Sequence, residues 1–524
     1  MPYFLKLVIV TLALSGLTFA IAKPVALQFM DADDFARRRN VWLVLTAAAF
    51  ICSNFWLFVL IAAPTLYWAG RKDTNPIAFY LLFMNVIPAV SVEIPTAGLG
   101  INELFGVDIL MLLSLCVLVP AARRIRIAGA GQSSHKLRAM DWVLLGYGGL
   151  QVLLFVPPDL STHVILQNSF TGHLRAIFIF IVTIYLLYYV ASRSIRSRSA
   201  IADAMAAFCL ACTVMAVTAV FEALKHWPLY TFLYGKWETG GQIDQYLVRG
   251  GSLRAEASAG HPLALAYLLA IALGFWLYLQ SHLQTRMHKL LVPLVLCAGL
   301  IVTFSRGPWI GAIVIYLVYA VLRRQRTSDL FRAAAILLGA LALIALSPLG
   351  DRIASMLPFM GGKVGAGSLT YRELMAARCW QLILAHPFFG DQLAYLHMQD
   401  LRQGQGIIDI VNTYLFVTLF YGSVGITLFL GFILMGLRKA MQARAAWRRL
   451  DRDAALIASS IAACIVGTLF MLLDCSFILG YVPMFYTLAG LSSACFRLAR
   501  AEKLSNPAVM QPAAEGVTVS GSGA

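Results

Sequence analysis

Runs of about 15 to 25 apolar residues, separated by short polar or basic stretches, recur along nearly all of this chain and restrict its fold more than any other feature. In helical form, at about 1.5 Å per residue, such a run matches the roughly 30 Å hydrocarbon layer of a bilayer. Backbone N–H and C=O groups find no water in that layer, so consecutive runs can only form a bundle of spanning helices. Composition excludes the soluble alternative: 60% of residues are apolar and 13% charged, where soluble domains carry about 25% charge. The expected fold class is all-α, a polytopic integral membrane bundle of about 12–14 transmembrane helices.

The candidate spans are 4–22, 41–68, 77–94, 106–122, 142–156, 174–192, 203–224, 262–282, 290–304, 307–322, 333–347, 411–437, 455–474 and 477–496. A net charge of +16 would suggest nucleic acid in a soluble protein, but here the basic residues sit between the runs. Arg123, Arg124 and Arg126 fill one connection, Arg193, Arg196 and Arg198 another, and Arg438, Lys439, Arg444, Arg448, Arg449 and Arg452 a third. Short basic loops at helix ends are the cytoplasmic ones, which accounts for the charge and leaves no basic-aromatic surface for nucleic acid. With those loops inside, 225–261 and 348–410 are long external loops and both termini are cytoplasmic. One stretch resists this count: Asp31, Asp33, Asp34, Arg37, Arg38 and Arg39 fall where it predicts an external loop.

Residues 1–503 are thus expected to form one membrane domain, and 504–524, polar and rich in Pro, Gly, Ala and Ser, a disordered cytoplasmic tail. The first run ends in Ala20-Ile21-Ala22, as a signal peptide can, but its single early lysine makes a thin basic region and an uncleaved span is expected. The nine cysteines lie mostly inside the runs. Cys209 and Cys212 have the spacing of a zinc pair with no second pair nearby, and read as small packing residues. No metal and no cofactor is expected, since the outer loops lack an Asp-x-Asp or other acidic ligand cluster.

Charges at the outer ends of spans are costly to place and are candidates for function. One group is Arg254, Glu256 and His261 before Pro262. A second is the tight turn Ser305-Arg306-Gly307, where Gly307 admits a close backbone and Pro308 suits a helix start. The third lies in 348–410: Arg372, Glu373, Arg378, His386, Asp391, His397 and Asp409, just before Asn412. Within this loop Thr370 and Glu373 read as a capping box opening a helix that Pro387 ends. Each group has a plainer role available: the arginines as lipid-phosphate anchors, His261 as a helix start, and His386 as packing.

These motifs in this order resemble those of the O-antigen ligase and O-antigen polymerase superfamily. Arg254 to Pro262 resembles its Arg-x7-Pro element, Ser305 to Gly307 its Ser-Arg-Gly turn, and His386-Pro387-Phe388-Phe389-Gly390 its His-Pro-x-x-Gly. Asn412, then nine residues, then Gly422 and Gly425 is similar to the family's His-Asn followed by Gly-x-x-Gly, but Val411 stands where the ligases have their histidine base. The resemblance covers about 200–440 and, with valine there, favours the polymerase branch.

The resemblance implies a metal-independent membrane glycosyltransferase of the bacterial inner membrane, making exopolysaccharide or O-antigen. Its donor would be an oligosaccharide on undecaprenyl pyrophosphate and its acceptor another lipid-linked repeat unit. A flippase and a chain-length regulator would be its partners, along with membrane lipid. Arg254, Arg306, Arg372, Arg378, Glu256, His261 and Asn412 are the candidate pyrophosphate or substrate contacts, and Asp409, Glu373 and His397 the candidate bases. A ligase of the same fold, a transporter and a non-catalytic scaffold remain as alternatives, although the transporter lacks an inverted repeat.

Overall fold

The computed structural model describes residues 3–94, 106–128, 137–154, 170–237, 248–249, 252–323, 366–403, 408–475 and 480–505. The expected span 333–347, the start of the outer loop, and the tail beyond 505 lie outside them. The chain is a helical membrane bundle: seven described helices are long and apolar enough to cross a bilayer. Strands are limited among the described residues to two short antiparallel hairpins, Val92–Glu93 with Gly106–Val107 and Val248–Arg249 with Ser252–Leu253.

The helices are α1 (Tyr3–Ala26), α2 (Ala32–Ile51), α3 (Phe55–Lys72), α4 (Pro76–Phe83) and α5 (Ile109–Leu113). A π-turn, Ser114–Leu118, joins α5 to α6 (Val119–Ala128), and α7 (Ala139–Leu153) follows. A second π-turn, Phe180–Tyr185, joins α8 (Phe170–Ile179) to α9 (Leu186–Ser194). Next come α10 (Arg198–Lys225), the short α11 (Thr231–Lys236), α12 (Pro262–Leu279), α13 (Arg286–Val302) and α14 (Arg306–Arg323). Helix α15 (Ala366–Ala385) precedes α16 (Thr413–Leu450), α17 (Arg452–Met471) and α18 (Val482–Ser505). Thr370 and Glu373 lie inside α15 and do not open it, while its end at Ala385 sits just before Pro387 as expected.

The middle of the bundle is α12, apolar on every face and buried on nearly all of them against α10, α13, α14 and α17, as an all-round apolar helix must be. Small and polar residues let these helices approach: Ser460 Oγ donates to the Gly274 carbonyl at 2.8 Å, and the Cys209 and Cys212 thiols donate to the Ala272 and Leu268 carbonyls. Both cysteines therefore serve in packing.

The bundle has two chemically different ends. At one, Arg198 pairs with Asp451 and Glu502, His282 with Asp453 at 3.1 Å, and Arg193 with buried Asp141 at 2.8 Å. This basic end collects the arginine-rich connections. The other end gathers the starts of α12, α14 and α16 and the last residues of α10, α13 and α17.

The N-terminal helices correct the expected alternation. The apolar run 41–68 is two helices, because Cys52 turns the chain and Asn54 caps α3 by accepting the Trp56 N–H at 2.6 Å. The additional helix reverses the direction of the chain before it. Fully buried Arg38 forks onto Asp73 at 2.8 and 2.9 Å and reaches Asp203 at 2.6 Å, while Asn75 donates to Asp203 at 3.0 Å. Asp203 begins the membrane run of α10, so the 31–39 stretch lies at the basic end, opposite to where the expected alternation puts it. Tyr3, in turn, accepts from Trp227 Nε1 at 2.8 Å, so the chain's first helix starts at the end opposite the basic one. Tyr3 and the last turn of α18, where Glu502 pairs with Arg198, thus lie at opposite ends of the bundle.

Candidate functional site

Two side chains shape the turn between α13 and α14. The guanidinium of buried Arg254 donates from Nε to the Thr303 carbonyl and from Nη2 to Ser305 Oγ, both at 3.1 Å. The Ala255 N–H donates to the Val302 carbonyl at 3.1 Å, so 254–255 is laid along the end of α13. The two sequence motifs that carry Arg254 and Ser305 are therefore one structural unit. Between them Phe304 sits at φ 49° and Ala257 at φ 45°, conformations that cost a side-chain-bearing residue about 1–2 kcal/mol each. Ala257 is held there by Glu222, at the outer end of α10, whose buried carboxylate accepts the Ala257 N–H at 2.9 Å, the Glu256 N–H at 3.3 Å and the Leu229 N–H at 2.9 Å. Glu222 was not singled out in the sequence, where one acid near the end of an apolar run gives no sign of three backbone partners. Glu256 itself accepts from Thr231 Oγ1 at 3.1 Å.

His261 and Asn412 are both helix caps. His261 Nδ1 accepts the Leu263 N–H at 3.1 Å, and burial and then the nearby Arg254 push its ring down to about 4, so it is neutral. Asn412 Oδ1 accepts the Tyr414 and Leu415 N–H groups at 2.9 and 3.1 Å. Such caps satisfy donors that a helix start otherwise leaves open.

Arg306 opens α14 and is held near Arg372 of α15: burial first, and then the Arg306 charge, lower the proton affinity of Arg372, while Asp409 acts in the opposite sense. Arg372 Nη1 donates to Asp474, which follows α17. The Asp474 carboxylate also covers Gly307, where any Cβ would strike it. Thr413 ties the start of α16 to the same place, donating from N to the Leu472 carbonyl at 3.0 Å and from Oγ1 to the Cys475 carbonyl at 2.7 Å. The Asp409 N–H donates to Tyr371 Oη at 3.1 Å. Arg306, Arg372, Asp409 and Asp474 thus converge from four chain segments. Asp474 was missed, although it is the sole acidic residue between Asp453 and Glu502 and lies at a span end.

The remaining candidates lie apart from this group. Arg378 Nη2 donates to the His397 carbonyl at 3.1 Å, and His397 Nδ1 pairs with Asp391 at 2.8 Å with its side chain 54% exposed. Glu373 is exposed on α15.

The glycine-containing motifs form a backbone lock between the outer loop and α16. The helix breaks at Gly422, with φ 63° and ψ −163°, and the loop 387–392 fills the break. The Ser423 N–H donates to the Pro387 carbonyl at 2.8 Å, Val424 N–H to the Phe388 carbonyl at 3.2 Å, and Asp391 N–H to the Leu419 carbonyl at 2.8 Å. A Cβ at Gly422 would collide with the Phe388 carbonyl, and one at Gly390, φ 71°, with that of Leu419. His-Pro-x-x-Gly and Gly-x-x-Gly are the two halves of this contact.

Residues 291–430 match the family model described as O-antigen ligase. The match takes in the Ser305-Arg306-Gly307 turn, Arg372, Asp409 and the lock, and leaves out Arg254 and Asp474. No curated protein matches the chain.

Proposed function

Taking as premise that the chain belongs to the O-antigen ligase and polymerase superfamily, to which its 291–430 segment assigns it, we propose that it is a polysaccharide polymerase. On this reading it works at the periplasmic face of a bacterial inner membrane and transfers glycan from undecaprenyl pyrophosphate to a lipid-linked repeat unit. The positive-inside rule puts the basic end in the cytoplasm and the Arg306 end outside. The observation that carries the proposal is that the Asp474 carboxylate binds Arg372 and lies against Gly307, next to Arg306, so both arginine-bearing segments meet at that outer end. Two permanently charged planar forks suit a departing pyrophosphate, which gains negative charge as its bond to the sugar breaks. Arg254 acts one step back on this account, holding the turn from which Arg306 projects. Val411 supports the polymerase over the ligase, because valine cannot take the proton that the ligases give to histidine. Asp409, two residues before it, is the titratable residue nearest that position in the sequence.

Deleting the gene should abolish high-molecular-weight polysaccharide while single repeat units accumulate on lipid. Normal polymer left unattached to its lipid anchor would make the protein a ligase, and lost solute uptake with normal glycan a transporter.

A further inference from the structure

Resting on that reading, we propose that Asp474 is the proton acceptor of the transfer, masked by Arg372 until the donor's pyrophosphate takes that guanidinium. Asp474 meets the requirements better than the other acids. Its carboxylate touches Gly307 and pairs with Arg372, so it lies against both elements that carry Arg306 and Arg372. The bonds from Thr413 to the Leu472 and Cys475 carbonyls bring it alongside the start of α16, two residues from Val411, where the family histidine would be. Its side chain is 31% exposed and that of Arg372 is 37% exposed, so a substrate can reach both. Glu373 is exposed on α15, and His397 is held with Asp391 next to Arg378, six residues along α15 from Arg372.

The pairing supplies a sequence of events. Without donor, Asp474 is the counter-ion of Arg372. An arriving pyrophosphate competes for the same guanidinium with more charge and more oxygens. The freed carboxylate then faces added negative charge, which makes it a better proton acceptor. The acceptor hydroxyl oxygen bonds to the anomeric carbon as the bond from that carbon to the pyrophosphate oxygen breaks. The electron pair leaves on undecaprenyl pyrophosphate, facing Arg306 and Arg372, and the hydroxyl proton passes to Asp474 and later to water. No further reactant is required. The arrangement frees the base only when a donor is bound.

The test uses the full chain in liposomes, with oligosaccharide-linked undecaprenyl pyrophosphate as substrate and undecaprenyl pyrophosphate alone as binding probe. Asp474→Asn should lower kcat by about 10²- to 10⁴-fold, the usual contribution of a general base. It should bind the probe as tightly as wild type or more tightly, because no carboxylate has to be displaced. Asp474→Glu should keep measurable turnover. Probe binding lost together with turnover would make Asp474 structural and overturn the proposal, as would wild-type turnover in Asp474→Asn or a kcat collapse in Asp409→Asn alone. A wild-type protein that binds the probe but forms no polymer would instead sink the polymerase reading itself, taking this role with it.

Discussion

Replacing Gly422 by alanine should release the outer loop from α16. Gly422 has φ 63° and ψ −163°, a region essentially closed to residues with a Cβ, at a cost of about 1–3 kcal/mol. The new methyl would also strike the Phe388 carbonyl and the Phe389 nitrogen, backbone atoms that cannot rotate aside. Relief requires lifting the 387–392 loop, which loses the bonds from Ser423 to Pro387 and from Val424 to Phe388. At about 0.5–1.5 kcal/mol net for each bond, the total comes to about 2–6 kcal/mol. Gly149 on α7 is the control, since a Cβ there meets nothing within 4 Å and alanine should be neutral or favourable by up to about 1 kcal/mol. The measurements are the melting midpoint of the detergent-solubilised chain and the rate at which protease cuts between 386 and 392. Gly422→Ala should melt earlier and be cut faster, and Gly149→Ala should do neither. If Gly422→Ala melts with wild type and keeps its loop protected, the backbone lock does not hold the outer helix in place.

Arg306→Ala should cut the rate of polymer formation by the equivalent of about 3–4 kcal/mol with the protein still present in the membrane, and lysine should restore only part of it, because it keeps the charge and loses the fork. Arg254→Lys should lose nearly as much as Arg254→Ala, since one ammonium cannot span the Thr303 carbonyl and Ser305 Oγ as the guanidinium does; polymer assays on membranes of equal protein content decide this. Glu222→Gln should destabilise the chain by about 1–3 kcal/mol, visible in its melting midpoint, because an amide nitrogen would face backbone donors that the carboxylate now accepts. His261 is held down to about 4 from an ordinary 6.5. Because the folded state prefers the neutral ring, its contribution is complete above about pH 6.5 and lost as pH falls towards 4. His261→Asn keeps the cap and should flatten the melting midpoint across that window.

The sequence alone determined the helical membrane bundle, the seven spans found among the described residues and the basic end, because hydropathy and charge are local properties read over one helix length. It also marked Arg254, Arg306 and the glycine motifs as candidates, since charges at span ends are costly. One further break was legible and overlooked: 28 residues of helix rise about 42 Å, well beyond the hydrocarbon layer, and Asn54 stands inside the run as a cap. What only the tertiary structure decided depends on helix rotation and on backbone groups that spacing does not encode. The Arg38 side chain buried between Asp73 and Asp203 puts an arginine-rich stretch, expected outside, at the basic end. Arg254 turns out to spend its guanidinium on a carbonyl and a serine of the next motif. Asp474 reaches Arg372 across 102 positions of chain because α16 and α17 are stapled at Thr413. A contact of that kind belongs to no single helix, so no property of one helix foretells it.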